Sequence, residues 1–277
     1  RLVAQRLTEH WGRPVVVENV AGATGSIGAN TVARAAPDGY TLLVTVDIPL
    51  TMYPAVARKL PYNPLIDFRP IANVARTSNA LFVNAALGVS TVEELIQLAK
   101  KHPGKLTFSS AGIASPAHFG GELFKTTAGV DMTHVPYKGA APAMAAAVSG
   151  EVNLMFGPIT QGLPHLKSGK LRVLGVTGPQ PTPLLPGVKP LAEQGFPGLV
   201  VYNWYPVMAP AGTPDAVVNT VIAGLKKVFA DEALRTRLAD MGTEPDWDGP
   251  DAVMKLIAAD IKRWSELAQR AKIESPQ

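Results

Sequence analysis

Cysteine is absent from the 277-residue chain. Its absence excludes disulfide bonds, thiolate metal ligands and cysteine nucleophiles. It is compatible with an oxidising compartment as well as with a cytosolic one. Aromatic residues make up 6% of the sequence, and no run of Lys or Arg gathers the net charge of +4 into a basic patch. Nucleic-acid binding therefore lacks its usual signature. No apolar run approaches the roughly 20 residues that span a bilayer.

Motifs of catalysis and metal binding are also missing. The five histidines are His10, His102, His118, His134 and His165, and none has the H-E-x-x-H spacing of a zinc site. Neither a G-x-S-x-G elbow nor a P-loop occurs. Missing motifs argue only weakly against an enzyme, because catalytic triads are set by geometry and not by sequence order. We expect no catalytic residue, no metal and no cofactor.

The first residues of the chain already have the apolar spacing of a helix. Apolar residues occur at every fourth position, at Val3, Leu7 and Trp11. The first residue is Arg1 and not a methionine. This pattern predicts a processed or trimmed N-terminus from which a signal peptide has been removed.

Short apolar runs alternate with glycine turns and amphipathic helices along the chain. Buried or extended strands are predicted at Pro14–Val17, Thr41–Val46, Ile71–Val74, Leu81–Val83, Leu106–Ser109, Met132–Val135, Val152–Phe156, Leu171–Val176 and Val200–Val207. Helices are predicted at Ser26–Ala35, from Ser90 with Glu93 as a capping box, at Pro116–Ala128, up to Ser149, at Leu163–Ser168, from Thr213, at Asp231–Met241 and at Pro250–Ala268. The alternation predicts an α/β fold with parallel sheets covered by helices.

The length of the chain suits two domains. The strand–helix pattern restarts after His102, and the helical end after Thr213 has few strands of its own, so we expect it to pack on the first sheet. We therefore predict a discontinuous first lobe, 1–102 with 208–277, and a second lobe, 103–207. The chain would cross between them twice, near 102–105 and near 203–208.

The loops that follow the strands are the expected place for a ligand. Ser109–Pro116 joins a strand end to a capped helix start, where free N–H groups and the helix dipole favour an anion. It is either an anion cradle or a plain loop in which Ser115 caps its helix. His118, in the first turn, either donates to a ligand carboxylate or packs.

Two further features leave alternatives open. Gly22–Gly28 resembles a dinucleotide loop, but its G-x-x-G-x-x-G spacing departs from the fingerprint, so a nucleotide-dependent enzyme is the runner-up. Asp47 accepts from a ligand, caps a turn or pairs with a basic neighbour. Tyr202, Trp204 and Tyr205 line a cleft or pack in a core.

Ordered segments along nearly the whole chain are similar to one family. They are Pro14–Gly28, Ala36–Leu43, Lys59–Pro64 with Asp67-Phe68, Pro103–Leu106, His134–Gly139 with Ala141-Pro142, Ser168–Arg172 and Ala209–Pro214. Together they resemble the periplasmic substrate-binding proteins of tripartite tricarboxylate transporters, also called Bug receptors.

The resemblance implies a two-lobed periplasmic-binding-protein fold, type II-like, whose two α/β lobes close on a small organic acid. It implies a periplasmic monomer that delivers a dicarboxylate, an aromatic carboxylate or an amino acid to membrane transporter subunits. A solute sensor for a membrane kinase is a further alternative. Carried over from the family, the ligand contacts fall on Asp47, Ser78, Ser110, Gly112, Ala114, Ser115, His118, Gly139, Ala140 and Gly157.

The sequence departs from the family in two places. The family's first strand and Gly-Gly-rich loop would lie before Arg1, and the family often has an acidic or polar residue where Gly157 follows Phe156. The resemblance therefore does not fix which acid is bound.

Overall fold

A computed structural model describes residues 1–274 of the chain. They form two compact units. The first unit comprises Arg1–Arg76 and Asn203–Ser265, and the second comprises Thr77–Tyr202 and the chain from Glu266. The chain thus passes from one unit to the other at three points, after Arg76, Tyr202 and Ser265. Two crossings, near 102–105 and near 203–208, are expected from the sequence.

The difference in the boundaries arises from the longest strand. The sequence predicts two separate strands at Ile71–Val74 and Leu81–Val83, but both belong to one strand, β2 (Phe68–Asn84), which begins in the first unit and ends in the second. Residues 77–102, expected in the first lobe, pack in the second unit because the end of β2 pairs with its strands.

Antiparallel pairs make up the strand contacts of the first unit. Its helices are α1 (Leu2–Trp11), α2 (Ser26–Ala33), α3 (Met52–Val56), α8 (Asp215–Phe229), α9 (Glu232–Asp240) and α10 (Pro250–Ala271) as far as Ser265, and its strands besides β2 are β1 (Leu43–Val44), β7 (Tyr202–Pro210) and β8 (Glu244–Asp248). β1 pairs with β7, and β8 pairs with β2, both antiparallel. The expected parallel sheet is therefore wrong here. β8 is not predicted from the sequence because its polar composition lacks an apolar run.

The expected strand at Pro14–Val17 is also wrong. The segment forms no strand, and Val16 is 79% exposed. Apolar composition alone does not make a strand that has no partner to pair with.

Helix α8, from the helical end of the chain, packs on the first unit, whereas the residues from Glu266 belong to the second. Val218, Val221 and Leu225 on α8 share one apolar core with Ile71 of β2. α1 lies against the same helix, and a Cβ added at Gly224 would come 2.6 Å from the Trp11 ring.

The second unit contains a mixed sheet. Its further strands are β3 (Thr107–Ser110), β4 (Thr133–Pro136), β5 (Leu154–Pro158) and β6 (Leu171–Val176), and its helices are α4 (Val92–Lys101), α5 (Pro116–Ala128), α6 (Ala140–Ser149) and α7 (Ile159–Lys167). β3 lies between β4 and β5 and is parallel to both. β2 pairs antiparallel with β5 and β6.

Both faces of this sheet are buried. Leu81 and Val83 of β2 face a core that includes α4 and α5, while Ala80 and Phe82 face a second core with α6 and α7. The alternation follows from the two-residue period of a strand. It explains why these strands read as continuous apolar runs.

The bounds of some helices and strands agree with the prediction, and others differ by a residue. α5 and β6 have the predicted bounds. α4 is capped by Thr91, whose side chain accepts from the N–H of Glu94, and Glu94 accepts from Ser90. The capping box is thus one residue later than the predicted Ser90–Glu93 pair. None of the helices in residues 1–274 is long and apolar enough to cross a membrane.

Candidate functional site

Three parallel strands of the second unit end at the same edge of its sheet. β4, β3 and β5 are each followed by a helix that starts within a few residues: α6, α5 and α7. The N–H of Tyr137 donates to the carbonyl of Ser110 at 2.9 Å, so the loops after β3 and β4 lie side by side. This is the edge at which α/β sheets bind ligands.

The loop after β3 is held in a tight, unusual conformation. Gly112 has φ 127°, and Ala114 has φ 61°, which is uncommon for a residue with a side chain. The carbonyl of Gly112 accepts from the Ser115 hydroxyl at 2.7 Å and from its N–H at 3.2 Å. Ser115 also caps α5, accepting from the N–H of His118. The predicted cap is confirmed, and it belongs to an ordered loop.

The start of α6 presents unused donors beside that loop. Gly139, with φ 118°, precedes the helix and supplies no side-chain cap. No residue in the described part of the chain accepts from the N–H groups of Ala140 and Ala141. Free N–H groups at a helix start carry the positive end of the helix dipole and attract anions.

Two stacked imidazoles, the buried His118 and the half-buried His134, lie beneath the β3 loop. The rings of His118 and His134 stack at 3.7 Å between centroids, with 10° between their planes, and Phe108 stacks on His134 at 4.9 Å. The N–H of Ala114 donates to Nδ1 of His118 at 3.2 Å. Nε2 of His134 lies 2.6 Å from Oγ of Ser110.

The electrostatics of the pair keep both rings neutral near pH 7. Burial, and after it the neighbouring His134 and Lys125, lower the pKa of His118 to about 3. Burial and Lys125 lower the pKa of His134 to about 4. Lys125 is itself paired with the buried Glu122 at 2.9 Å.

Ser78 and Gly157 lie in tightly packed surroundings of the second unit. Ser78 is 8% exposed, and a Cβ added at Gly178 would come within 2.2 Å of its Oγ. A Cβ added at Gly157 would come within 3.0 Å of Met144 and of Met155. The acidic or polar residue that the family often has at this place would therefore require these methionines to move.

Asp47, alone among the predicted site residues, belongs to the first unit. It is fully buried, and its carboxyl accepts from the N–H of Trp204 at 3.3 Å and from the Thr51 hydroxyl at 3.1 Å. Burial, and after it the charge of Asp260, raise its pKa to about 7. The carboxyl thus joins β7 to the segment that begins with the 3₁₀ turn at Ile48–Leu50. Trp204, 1% exposed, packs in the core.

The glycine-rich segment Gly22–Gly28 lacks the context of a dinucleotide loop. It forms a short 3₁₀ turn and the start of α2, and it follows the unpaired segment 14–20 instead of a strand. A phosphate-binding fingerprint needs a strand–turn–helix unit to aim the helix start at the ligand.

Sequence comparison identifies the family. Residues 1–273 match the family described as "Tripartite tricarboxylate transporter family receptor". The chain belongs to this family. The protein BugT of Bordetella pertussis is 33% identical over 266 residues, covering 96% of this chain and 82% of BugT.

Solved structures of similar proteins agree with this assignment. The R. palustris protein Rpa4515, solved with adipate, is 34% identical with a TM-score of 0.81, covering 99% of this chain and 92% of that one. MatC (Rpa3494) of Rhodopseudomonas palustris, solved with bound malate, is 30% identical with a TM-score of 0.78, covering 96% and 92%. The predicted resemblance and the α/β fold of periplasmic solute-binding proteins are confirmed.

Family membership also decides the question of catalysis. Proteins of this family are binding receptors and not enzymes, so this chain is a solute-binding receptor. The nucleotide-dependent enzyme considered from Gly22–Gly28 is wrong.

Sequence reasoning missed His134 as part of the site. The signal is present in the pairing of the parallel strands, which places His134 beside Phe108, close to the loop that follows β3. That register cannot be read from the sequence without knowing that β3 and β4 are neighbours.

Proposed function

We propose that this receptor works in the periplasm as a monomer, captures a small dicarboxylate and delivers it to the membrane subunits of a tripartite tricarboxylate-type transporter. The observation that carries the proposal is the pair of structures with adipate and with malate, which this chain resembles over nearly its whole length. Aromatic carboxylates and amino acids are the next classes to test. Transport is preferred to sensing because the family is described as transporter receptors.

We propose that the second unit holds one carboxylate with neutral donors. The free N–H groups at the start of α6, the loop from Ser110 to Ser115 and the imidazole of His118 lie at one sheet edge. Gly112, Ala114, Gly139 and Ala140 are small and allow close approach of the backbone at this edge. Ser78 of β2 and Gly157 of β5 are kept as proposed contacts. Asp47 supports the core of the first unit and is left outside the ligand contacts.

Thermal unfolding against a ligand panel tests the function. The panel contains adipate, malate, benzoate, glutamate and NAD. A ligand at 100 times its Kd adds about 2.7 kcal/mol to the free energy of unfolding, which raises the Tm by several degrees at about 2–4 °C per kcal/mol. We expect a shift with a dicarboxylate and none with NAD. A cooperative transition that no carboxylate shifts would contradict the proposal.

A proline substitution tests the backbone donors directly. Ala140→Pro removes one proposed N–H donor at the first position of α6, where proline fits the helix. We expect the affinity for the dicarboxylate to fall about fivefold, the equivalent of one hydrogen bond. Glu232→Pro, at the first position of α9, is the matched control and should leave the affinity unchanged. Equal affinities in both variants would remove the α6 start from the site.

A further inference from the structure

His134 contacts two separate parts of the proposed carboxylate site. Its ring covers that of His118 at 3.7 Å, and its Nε2 lies 2.6 Å from Oγ of Ser110. It lies on β4, whereas Ser110 ends β3 and His118 belongs to the first turn of α5. One side chain thus connects three elements that meet at the edge of the sheet.

The hydrogen bond at Nδ1 determines the tautomer of His118. The N–H of Ala114 can only donate, so Nδ1 of His118 accepts and carries no proton. Because the ring is neutral near pH 7, its proton is on Nε2. His118 therefore offers an N–H donor at Nε2.

That donor is free to act on a ligand. No residue among 1–274 is a partner of Nε2 of His118, although only 7% of the residue is exposed. Nε2 is also not among the buried side-chain nitrogens and oxygens that lack a partner, so it retains access to solvent. A buried side chain with one unused and accessible N–H is typical of a group placed for a ligand acceptor.

The contacts of Ser110 transmit the position of His134 to this donor. Oγ of Ser110 accepts from the N–H of Gly112 at 3.2 Å, and the carbonyl of Gly112 holds Ser115. The same loop fixes Ala114 at its positive φ, with its N–H toward His118. The Ser110 hydroxyl also donates to the carbonyl of Gly112 at 2.9 Å, so the contact with His134 is a donation from Nε2–H of the imidazole to Oγ. Loss of this donation would leave Ser110 held to the loop through Gly112 alone.

We propose that His134 is a positioning residue for ligand binding. It holds His118 from one side by ring stacking and from the other through Ser110 and the β3 loop, so that Nε2–H of His118 faces a carboxylate oxygen. The inference rests on the proposed function only for the identity of the ligand, because the placement of His118 exists in the free protein.

Imidazole nitrogen chemical shifts test the positioning without any ligand. In the wild-type protein at pH 7, we expect His118 to show an unprotonated Nδ1 and a protonated Nε2. His134→Phe keeps a ring over His118 but removes the bond to Ser110, and Ser110→Ala removes it from the other side. In both variants we expect the His118 shifts to move toward an average of the two tautomers. His102→Ala, an exposed histidine of the same unit, is the control and should leave them unchanged.

Calorimetric titration with adipate and malate provides the second measurement. We expect His134→Phe to weaken the ligand that binds the wild type about fivefold, and His102→Ala to leave its affinity unchanged. A protonated Nδ1 in wild-type His118, or a His134→Phe protein with unaltered shifts and affinity, would overturn the inference. If neither acid binds the wild type, the proposed ligand class fails, while the shifts of His118 still decide the role of His134.

Discussion

Acidification should destabilise the second unit through the His118–His134 pair. The pKa of His118 is lowered to about 3 and that of His134 to about 4, whereas an ordinary histidine titrates near 6.5. Below pH 6.5 the unfolded chain therefore binds protons that the folded chain does not. The contribution of the two histidines to the free energy of unfolding is therefore fully present above pH 6.5. It is lost as the pH falls toward the folded-state pKa values of about 4 and 3.

The size of the effect follows from the linkage. Each pH unit between the two pKa values is worth about 1.4 kcal/mol per group. Between pH 6.5 and 5, His118 loses about 2 kcal/mol, and the less buried His134 loses roughly half as much after allowance for solvent screening. The pair together should contribute about 3 kcal/mol to the loss.

Other groups act in the opposite direction, so the assay must isolate the pair. The raised pKa of Asp47, about 7, makes the first unit more stable as the pH falls from 7 toward 3.8. Lys125, which pairs with Glu122 on α5, is the charged neighbour that lowers the pKa of both imidazoles. A double variant, His118→Phe with His134→Phe, removes the titration and keeps two aromatic rings.

The measurement must report on the second unit. The tryptophans are Trp11, Trp204, Trp247 and Trp264, and all of them lie in the first unit. Their fluorescence therefore reports the unfolding of the first unit. Hydrogen exchange of the α5 amides at pH 6.5 and 5 reports on the second unit and is the suitable assay. We expect the wild type to lose about 3 kcal/mol more protection free energy than the double variant. The same loss in both proteins would refute the assignment of two neutral imidazoles.

Three further substitutions test the packing around the site and the core. Gly121→Ala should lower stability by about 1–3 kcal/mol, because its Cβ would come within 2.1 Å of the Phe108 ring; Gly120→Ala, with its nearest contact at 3.2 Å, is the control, and equal urea midpoints for the two would contradict the packing. Thr91→Ala should cost about 1 kcal/mol through the loss of the α4 cap, as measured by circular dichroism in urea, and no change would show the cap to be dispensable. Asp47→Ala should cost about 1–3 kcal/mol by leaving buried donors unpaired, as measured by tryptophan fluorescence, and an unaltered midpoint would contradict its role in the core.

Much of the fold could be predicted because the spacing of apolar residues and the capping or turn residues at the ends of an element indicate the same bounds. α5 begins at Pro116 after a serine cap and ends before Gly129, which has φ 62°, so both bounds follow from local chemistry. β6 lies between turn residues and has the predicted bounds. Such elements depend little on the rest of the chain.

Other elements depend on partners that the sequence does not reveal. Pro14–Val17 is as apolar as a buried strand, but no strand pairs with it, and β8 is polar yet pairs with β2. β2 reads as two strands because its middle, around Thr77, is less apolar, and only the pairing on both sides shows that it is continuous. The boundary between the units falls within it for the same reason.

The candidate site could be predicted where it consists of loops at strand ends and missed where it depends on register. Ser110, Gly112 and Ser115 follow from the rule that ligands bind beyond parallel strands. His134 precedes the end of its strand and enters the site only through the pairing of β3 with β4. Asp47 follows the strand β1 and fits the same rule, yet its carboxyl is turned into the core.

The chemistry of the proposed donors suits a receptor that must also release its ligand. None of the residues proposed to contact the carboxylate is a lysine or arginine, and the one imidazole among them is neutral near pH 7. A buried cation without its partner would destabilise the empty receptor by several kcal/mol, because an unpaired charge pays its full desolvation cost. Backbone N–H groups and a neutral N–H lose only ordinary hydrogen bonds when the ligand leaves, and water can replace these. A receptor built this way remains stable when empty and binds an anion through dipoles that its helix starts already provide.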